Sequence, residues 1–264
     1  MLQHNFVAES SDHYETPIEA YEHIGAILGE VTKLLGKNTT SLNIYDPFFC
    51  NGKVIENFKS LGWSNITNVN RDFYQDVVNH TVPNHDVLVT NPPYSSDHIE
   101  RILSYCKDSK ECNYFALLLP NYSYRSNFFQ HYFEGNFSEG LSQKPFFLAP
   151  INRYIYCRPK ACETSKFISK ETREYINQND DGSLNHSPFL SSWLIFCHNH
   201  TDTIFNKLKE EEKKHKNFIV ARTHKGCKWK IKKLRSNGKK KKKRKSKKRI
   251  NNYGRNNNNN KRDR

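Results

Sequence analysis

The 264-residue chain carries a net charge of +15, 13% aromatic residues and seven cysteines. It holds no run of about 18 apolar residues, which argues against a membrane span, and its first eleven residues lack the charged and apolar blocks of a secretory leader. The cysteines, at positions 50, 106, 112, 157, 162, 197 and 227, include no C-x-x-C pair. That spacing speaks against a zinc ribbon or a secreted disulfide scaffold, and for reduced thiols in an intracellular protein without a structural metal.

The charge is unevenly placed. Residues 225–264 hold twenty Lys and Arg against one Asp, so residues 1–224 carry a net −4. A mildly acidic body with a basic tail reads as an enzyme domain plus a separate electrostatic tether.

In chain order, residues 1–15 read as an irregular arm. Thr16-Pro17-Ile18-Glu19 then reads as a helix start, with Thr16 as N-cap, Pro17 at the first helical position and Glu19 closing a capping box. Ile18, Tyr21, Ile24, Leu28, Val31 and Leu35 fall on one face, and Gly36 suits the stop, so the helix should span 17–35. Leu42–Tyr45 reads as a short strand ending at Asp46-Pro47, residues 53–61 as a helix stopped by Gly62, and Ile66–Val69 as a second strand. Asp86–Thr90 is a third strand, halted by Asn91-Pro92-Pro93-Tyr94 because consecutive prolines cannot continue a central strand. A helix over 97–106 follows. Tyr114–Leu119 is a continuous apolar run of the kind buried on both faces of a parallel sheet.

Further on, Arg153–Tyr156 and Ser192–Phe196 read as two more strands around a polar stretch, 158–186, too long for an ordinary connection. Phe146, Phe147, Tyr154 and Trp193 are core candidates. Residues 203–216 read as a charged helix with Glu210/Lys214 and Glu212/Lys216 pairs. The Lys- and Asn-rich end should be disordered. The expected architecture is α/β, a Rossmann-like doubly wound, mostly parallel sheet over 1–205, then a charged helix or linker over 206–235 and a disordered basic tail over 236–264.

The segment Leu88-Val89-Thr90-Asn91-Pro92-Pro93-Tyr94 carries the most chemistry. It ends a strand where open α/β sheets place ligands. An adenine amino group is a poor nucleophile because its lone pair is delocalised into the ring. The Asn91 side-chain oxygen and the Pro92 carbonyl could accept its two N–H bonds, favouring a pyramidal nitrogen with its lone pair aimed at a methyl donor. Tyr94 would supply a ring face for a flipped base. The segment resembles the Asp/Asn-Pro-Pro-aromatic motif of class I S-adenosylmethionine (SAM)-dependent amino-methyltransferases, closest to the adenine-N6, Dam-like branch. The resemblance spans roughly residues 12–198 and implies SAM as cofactor.

Three further segments follow the family's order. Asp46-Pro47-Phe48-Phe49-Cys50-Asn51-Gly52 resembles its D/E-P-x-x-G-x-G loop, with Cys50 at the first Gly position; this implies SAM contacts from Asp46, Pro47 and Gly52. Tyr14 and Thr16, before the first helix, resemble the segment that contacts the methionine portion. Asp72, after the second strand, corresponds to an acid that contacts SAM, with its role on the ribose or adenine left open. No general base is demanded, because the sulfonium is an activated donor.

The tail, with ten basic residues among the eleven from Lys239 to Arg249, suggests phosphate binding, nuclear or nucleolar targeting, or both. A nucleic-acid substrate, DNA or RNA, is expected, with specificity from the 158–186 loop, the tail or a protein partner. Two alternatives keep the same motif: a protein glutamine N5-methyltransferase, whose amide the same two acceptors would orient, and a non-catalytic RNA-binding protein retaining the fold.

Overall fold

The computed structural model describes residues 14–135, 143–156, 190–215 and 217–236. The arm before Tyr14, the expected 158–186 loop and the tail beyond Ser236 lie outside the described residues. The chain divides into two compact units, one ending at His224 and the other starting at Lys225. The described part of the second unit, residues 225–236, is helical.

Helix α1 spans Ile18–Leu34 and buries Tyr21, Ile24, Leu28 and Val31, the face that the 3.6-residue period marks. Its entry differs from expectation. Pro17 occupies the cap position with no side-chain cap hydrogen bond, so the Thr16 capping box does not form. Thr16 is buried, and its carbonyl accepts from Asn57 Nδ2 at 3.3 Å. Gly36 follows the last turn at φ +62°, a conformation in which a Cβ would be strained.

The elements then run β1 (Ile44–Tyr45), α2 (Lys53–Ser60), β2 (Ile66–Thr67), α3 (Phe73–Val78), β3 (Val87–Thr90), α4 (His98–Asp108) and β4 (Tyr114–Pro120). A 3-10 turn at Ser123–Arg125 and a π-helical turn at Phe128–Gly135 lead on to β5 (Phe146–Pro150). β6 (Ser191–Cys197), α5 (Thr201–His215) and β7 (Phe218–Ala221) complete the fold of the described residues.

The seven strands form one mixed sheet in the order β2-β1-β3-β4-β6-β5-β7. β1 pairs in parallel with β2 and β3, and β3 with β4. β6 is antiparallel to both β4 and β5, and β7 is antiparallel to β5. Five strands therefore share one direction and two oppose it. The expected mostly parallel α/β sheet is present.

Helices cover both faces. Val87, Val89, Ala116, Leu118, Phe146, Leu148, Trp193 and Ile195 share one buried cluster with residues of α1, α2 and α5. On the other face, Phe73 of α3 packs on Tyr45 and on Tyr105 of α4, and Phe129 packs near Phe147. Phe146, Phe147, Tyr154 and Trp193 are all buried, as the sequence suggests.

Three local expectations need correction. Arg153–Tyr156 is not a strand; the strand is Phe146–Pro150, an apolar run between β6 and β7. Tyr154 and Tyr156 are buried through their hydroxyls instead, on His23 Nδ1 at 2.7 Å and on Ser191 Oγ. In α5 the expected Glu210/Lys214 pair gives way to the i,i+3 pairs Glu210–Lys213 and Glu211–Lys214, with His215 also on Glu211; Lys216, the expected partner of Glu212, lies outside the described residues. The seventh strand lies in the stretch read as charged helix and linker.

Candidate active site

Four polar residues stand immediately past the carboxyl ends of four adjacent parallel strands: Asn68 after β2, Asp46 after β1, Asn91 after β3 and Asn121 after β4. The chain leaves β1 for β2 on one side and returns to β3 on the other, so a crevice opens above β1 and β3. A narrow cavity of about 30 Å³ lies there, lined among others by Tyr14, Glu15, Thr16, Asp46, Asn68 and Asn91. Phe48, Cys50 and Gly52 supply its loop side.

Asp46 is the electrostatic centre of this cavity. Its side chain is buried; Oδ1 accepts from Thr90 Oγ1 at 2.6 Å and from the Phe48 amide at 3.1 Å. Burial pushes its carboxyl up to about 7; the two hydrogen bonds pull it down and the neighbouring Glu15 adds to the rise. Glu15 is itself buried. The two acids share the cavity with Lys53, and their burial favours a positive charge beside them.

Asn68 supplies the second unusual atom. Its Nδ2 donates to the carbonyls of Asp46 at 3.0 Å and Phe48 at 3.3 Å, which pins the loop to β2. Its Oδ1 is buried with no hydrogen-bond partner among the described residues. A buried acceptor left open costs free energy, which a ligand donor would recover. The Phe48–Gly52 loop closes on Gly52 at φ +75°, where a Cβ would come within 3.2 Å of the Phe49 ring.

Asn91 borders the cavity from the β3 side. The hydroxyl of Tyr94 donates toward Asn91 Oδ1 at 2.6 Å, with the Leu118 carbonyl as a second acceptor at 3.1 Å. A phenol has one proton, so the shorter contact is the principal bond. The Tyr94 hydroxyl is also coupled to Tyr156, and burial drives its acidity well down. Tyr94 thus turns its polar end inward and braces Asn91. The exposed aromatic at this turn is Tyr122, whose hydroxyl donates to the Tyr94 carbonyl at 3.2 Å. Asn121 is held by His224 Nε2 at 2.8 Å and Ser192 Oγ at 3.4 Å.

The residues expected from sequence therefore divide. Tyr14, Thr16, Asp46, Gly52 and Asn91 share one cavity. Pro47 and Pro92 are buried in the adjoining turns, and Tyr94 stands behind Asn91. Asp72 is elsewhere: it is exposed and caps α3, its Oδ1 accepting from the amides of Tyr74 and Gln75 at 2.9 and 3.2 Å. Sequence reasoning does not single out Asn68, Glu15 or Thr90. Taking the residue after each strand finds Asn68 only if the second strand ends at Thr67 rather than Val69.

No family model, no curated protein and no solved structure matches this chain.

Proposed function

We propose that the chain transfers a methyl group from SAM to the N6 amino group of adenine in nucleic acid, on a Rossmann-like class I methyltransferase scaffold. The observation that carries this reading is the convergence of Asp46, Asn68 and Asn91, each from the end of its own parallel strand, on one crevice with Tyr14 and Thr16.

The donor set suits SAM. Its ammonium and sulfonium are cationic groups of the sign that the buried Asp46 and Glu15 carboxyls attract, and its hydroxyl or amino groups could donate to Asn68 Oδ1. Glycine at position 52 lets the backbone approach a ligand closely. A cavity of about 30 Å³ holds roughly one water, so binding requires its walls to move apart.

When bound, SAM supplies an activated methyl on sulfur, so the protein's contribution is positioning and exclusion of water. Asn91 Oδ1 has two lone pairs. One takes the Tyr94 hydroxyl and the other is left for the target amine. Tyr122, exposed at the mouth of the turn, offers the ring face on which an extruded base would stack. The basic tail would hold phosphates and direct the protein to the nucleus or nucleolus, and a protein partner could add sequence specificity.

Incubation with tritiated SAM and separate DNA, RNA and protein fractions, followed by nucleoside analysis, tests the reading. Label should appear as N6-methyladenine. Label confined to protein glutamine would replace this reading with the amide-methyltransferase one. SAM that neither binds nor donates would end both.

A further inference from the structure

At the amino ends of β3 and β4, opposite the Asp46–Asn91 crevice, two cysteines and a histidine meet. Cys106 sits in the last turn of α4 and Cys112 two residues before β4; both are buried, and their sulfurs are 3.6 Å apart. His85, two residues before β3, has Nδ1 2.8 Å from the Pro83 carbonyl. That contact places the ring proton on Nδ1 and leaves Nε2 as the acceptor. Nε2 is buried without a hydrogen-bond partner among the described residues, and the imidazole acts electrostatically on the Cys112 thiol.

The two sulfurs are inequivalent. The contact with the Cys106 sulfur first, and His85 second, hold the Cys112 thiol below its usual range against the effect of burial. Burial pushes the Cys106 thiol up. Cys112, the sulfur influenced by His85, is thus the one placed to give up its proton on attack, and Cys106 the one to follow as the resolving cysteine. The linking turn is not sealed from solvent. Ser109, Lys110 and Glu111 line a surface cleft of about 680 Å³, together with Tyr105.

We propose that Cys106 and Cys112 are a reversible oxidation site that takes a hydroperoxide as oxidant, with Cys112 attacking, Cys106 resolving and His85 assisting. In the first step the Cys112 sulfur attacks one peroxide oxygen. The O–O bond breaks, the departing oxygen leaves as water with the proton relayed through His85 Nε2, and Cys112 becomes a sulfenic acid. In the second step Cys106 attacks that sulfur, an S–S bond forms, the S–O bond breaks and a second water leaves. Two thiols lose two electrons and two protons, and hydrogen peroxide is reduced to two waters. The sulfurs need close only from 3.6 Å to a bonded distance of about 2.05 Å, a shift that side-chain rotation can supply.

The test treats the full-length protein with graded hydrogen peroxide near neutral pH, blocks remaining thiols by alkylation in denaturant, and maps peptides by mass spectrometry. The expected product is a peptide pair joined through Cys106 and Cys112, lighter by two hydrogens and restored by dithiothreitol, while the isolated buried Cys197 stays alkylatable. In Cys106→Ser, dimedone should trap a sulfenic acid on Cys112; in Cys112→Ser, Cys106 should stay unlabelled. His85→Gln should slow disulfide formation at least tenfold. The proposal is overturned if both thiols remain alkylatable at doses that oxidise Cys50. It is equally overturned if either pairs with a different cysteine, if dimedone marks Cys106 instead, or if His85→Gln oxidises at the wild-type rate. The wild-type and His85→Gln arms decide the matter even where a serine variant fails to fold.

Discussion

The hydroxyl of Tyr94 lies 2.6 Å from the Asn91 side-chain oxygen, so the last residue of the N-P-P-Y turn braces the first. From sequence, Tyr94 matters through its ring face; the structure gives its hydroxyl a task. Tyr94→Phe keeps the ring and removes the brace. We expect single-turnover methyl transfer to fall by about 2–12-fold, the equivalent of one hydrogen bond of about 0.5–1.5 kcal/mol, with SAM affinity unchanged. A wild-type rate would show that Asn91 needs no brace.

Asn91→Ala removes the acceptor itself. The loss should appear in the transfer rate, by a factor on the order of 10²–10³, and scarcely in cofactor affinity. Asn91→Asp, which still accepts a hydrogen bond, should retain more activity than the alanine variant. Full single-turnover activity in Asn91→Ala would sink the proposed chemistry.

Tyr122 and Tyr94 should separate in a base-capture assay. If the exposed Tyr122 ring is the stacking platform, Tyr122→Ala should weaken binding of an oligonucleotide carrying 2-aminopurine at the target position by about 1–3 kcal/mol. Tyr122→Phe should bind almost normally. Equal binding by Tyr122→Ala and wild type would remove Tyr122 from the site.

Two buried groups give the protein opposing pH dependences. Asp46 titrates near 7 when folded, against 3.8 as the ordinary value. The folded state therefore holds the extra proton, and stability falls as pH rises from about 4 to about 7, by up to roughly 4 kcal/mol. Burial lowers His23 from 6.5 to about 4, so stability falls in the other direction, as pH drops from about 6.5 to about 4, by up to about 3 kcal/mol. The two nearly cancel in wild type. Asp46→Asn should expose the acid sensitivity from His23, and His23→Gln the alkaline sensitivity from Asp46, in melting temperatures taken across pH 4–8. Parallel curves for all three proteins would refute both assignments. In calorimetry near pH 6, binding of SAM should release protons, because a cation favours the Asp46 carboxylate.

Removal of residues 237–264 should leave SAM affinity intact and weaken nucleic-acid binding. For each phosphate that the shortened chain no longer neutralises, the slope of log affinity against log salt should fall in magnitude by about 0.7–0.9. Identical slopes for the full and shortened chains would dismiss the tether.

Much of this was legible in the sequence because it is local. The α1 stripe, the apolar β4 run and the strand-ending prolines after Asn91 declare themselves within a few residues. What was not legible is set by partners far along the chain. Phe146–Pro150 becomes a strand because β6 and β7 flank it, whereas Tyr154, with its equally strand-like neighbours, is drawn toward His23, 131 positions away. Asp72 looks like a cofactor acid, yet the nearby amides of Tyr74 and Gln75 claim it. Asn68 looks like a strand residue, yet the strand stops one residue earlier and frees its side chain for the loop carbonyls.

The sheet order also governs how copies of this chain behave toward one another. Among the described residues its longest and most apolar strands, β4 and β6, lie side by side in the interior, while the two borders are β2, two residues long, and β7, four residues long. Short borders present little unpaired backbone for a neighbouring molecule to extend. β7 is the guard on the aromatic side: a chain ending before Phe218 would bare the Phe146–Pro150 strand, whose unpaired amides and two phenylalanines form an adhesive border. Such a truncation should precipitate by strand-to-strand association, even with every residue of the Asp46–Asn91 crevice in place.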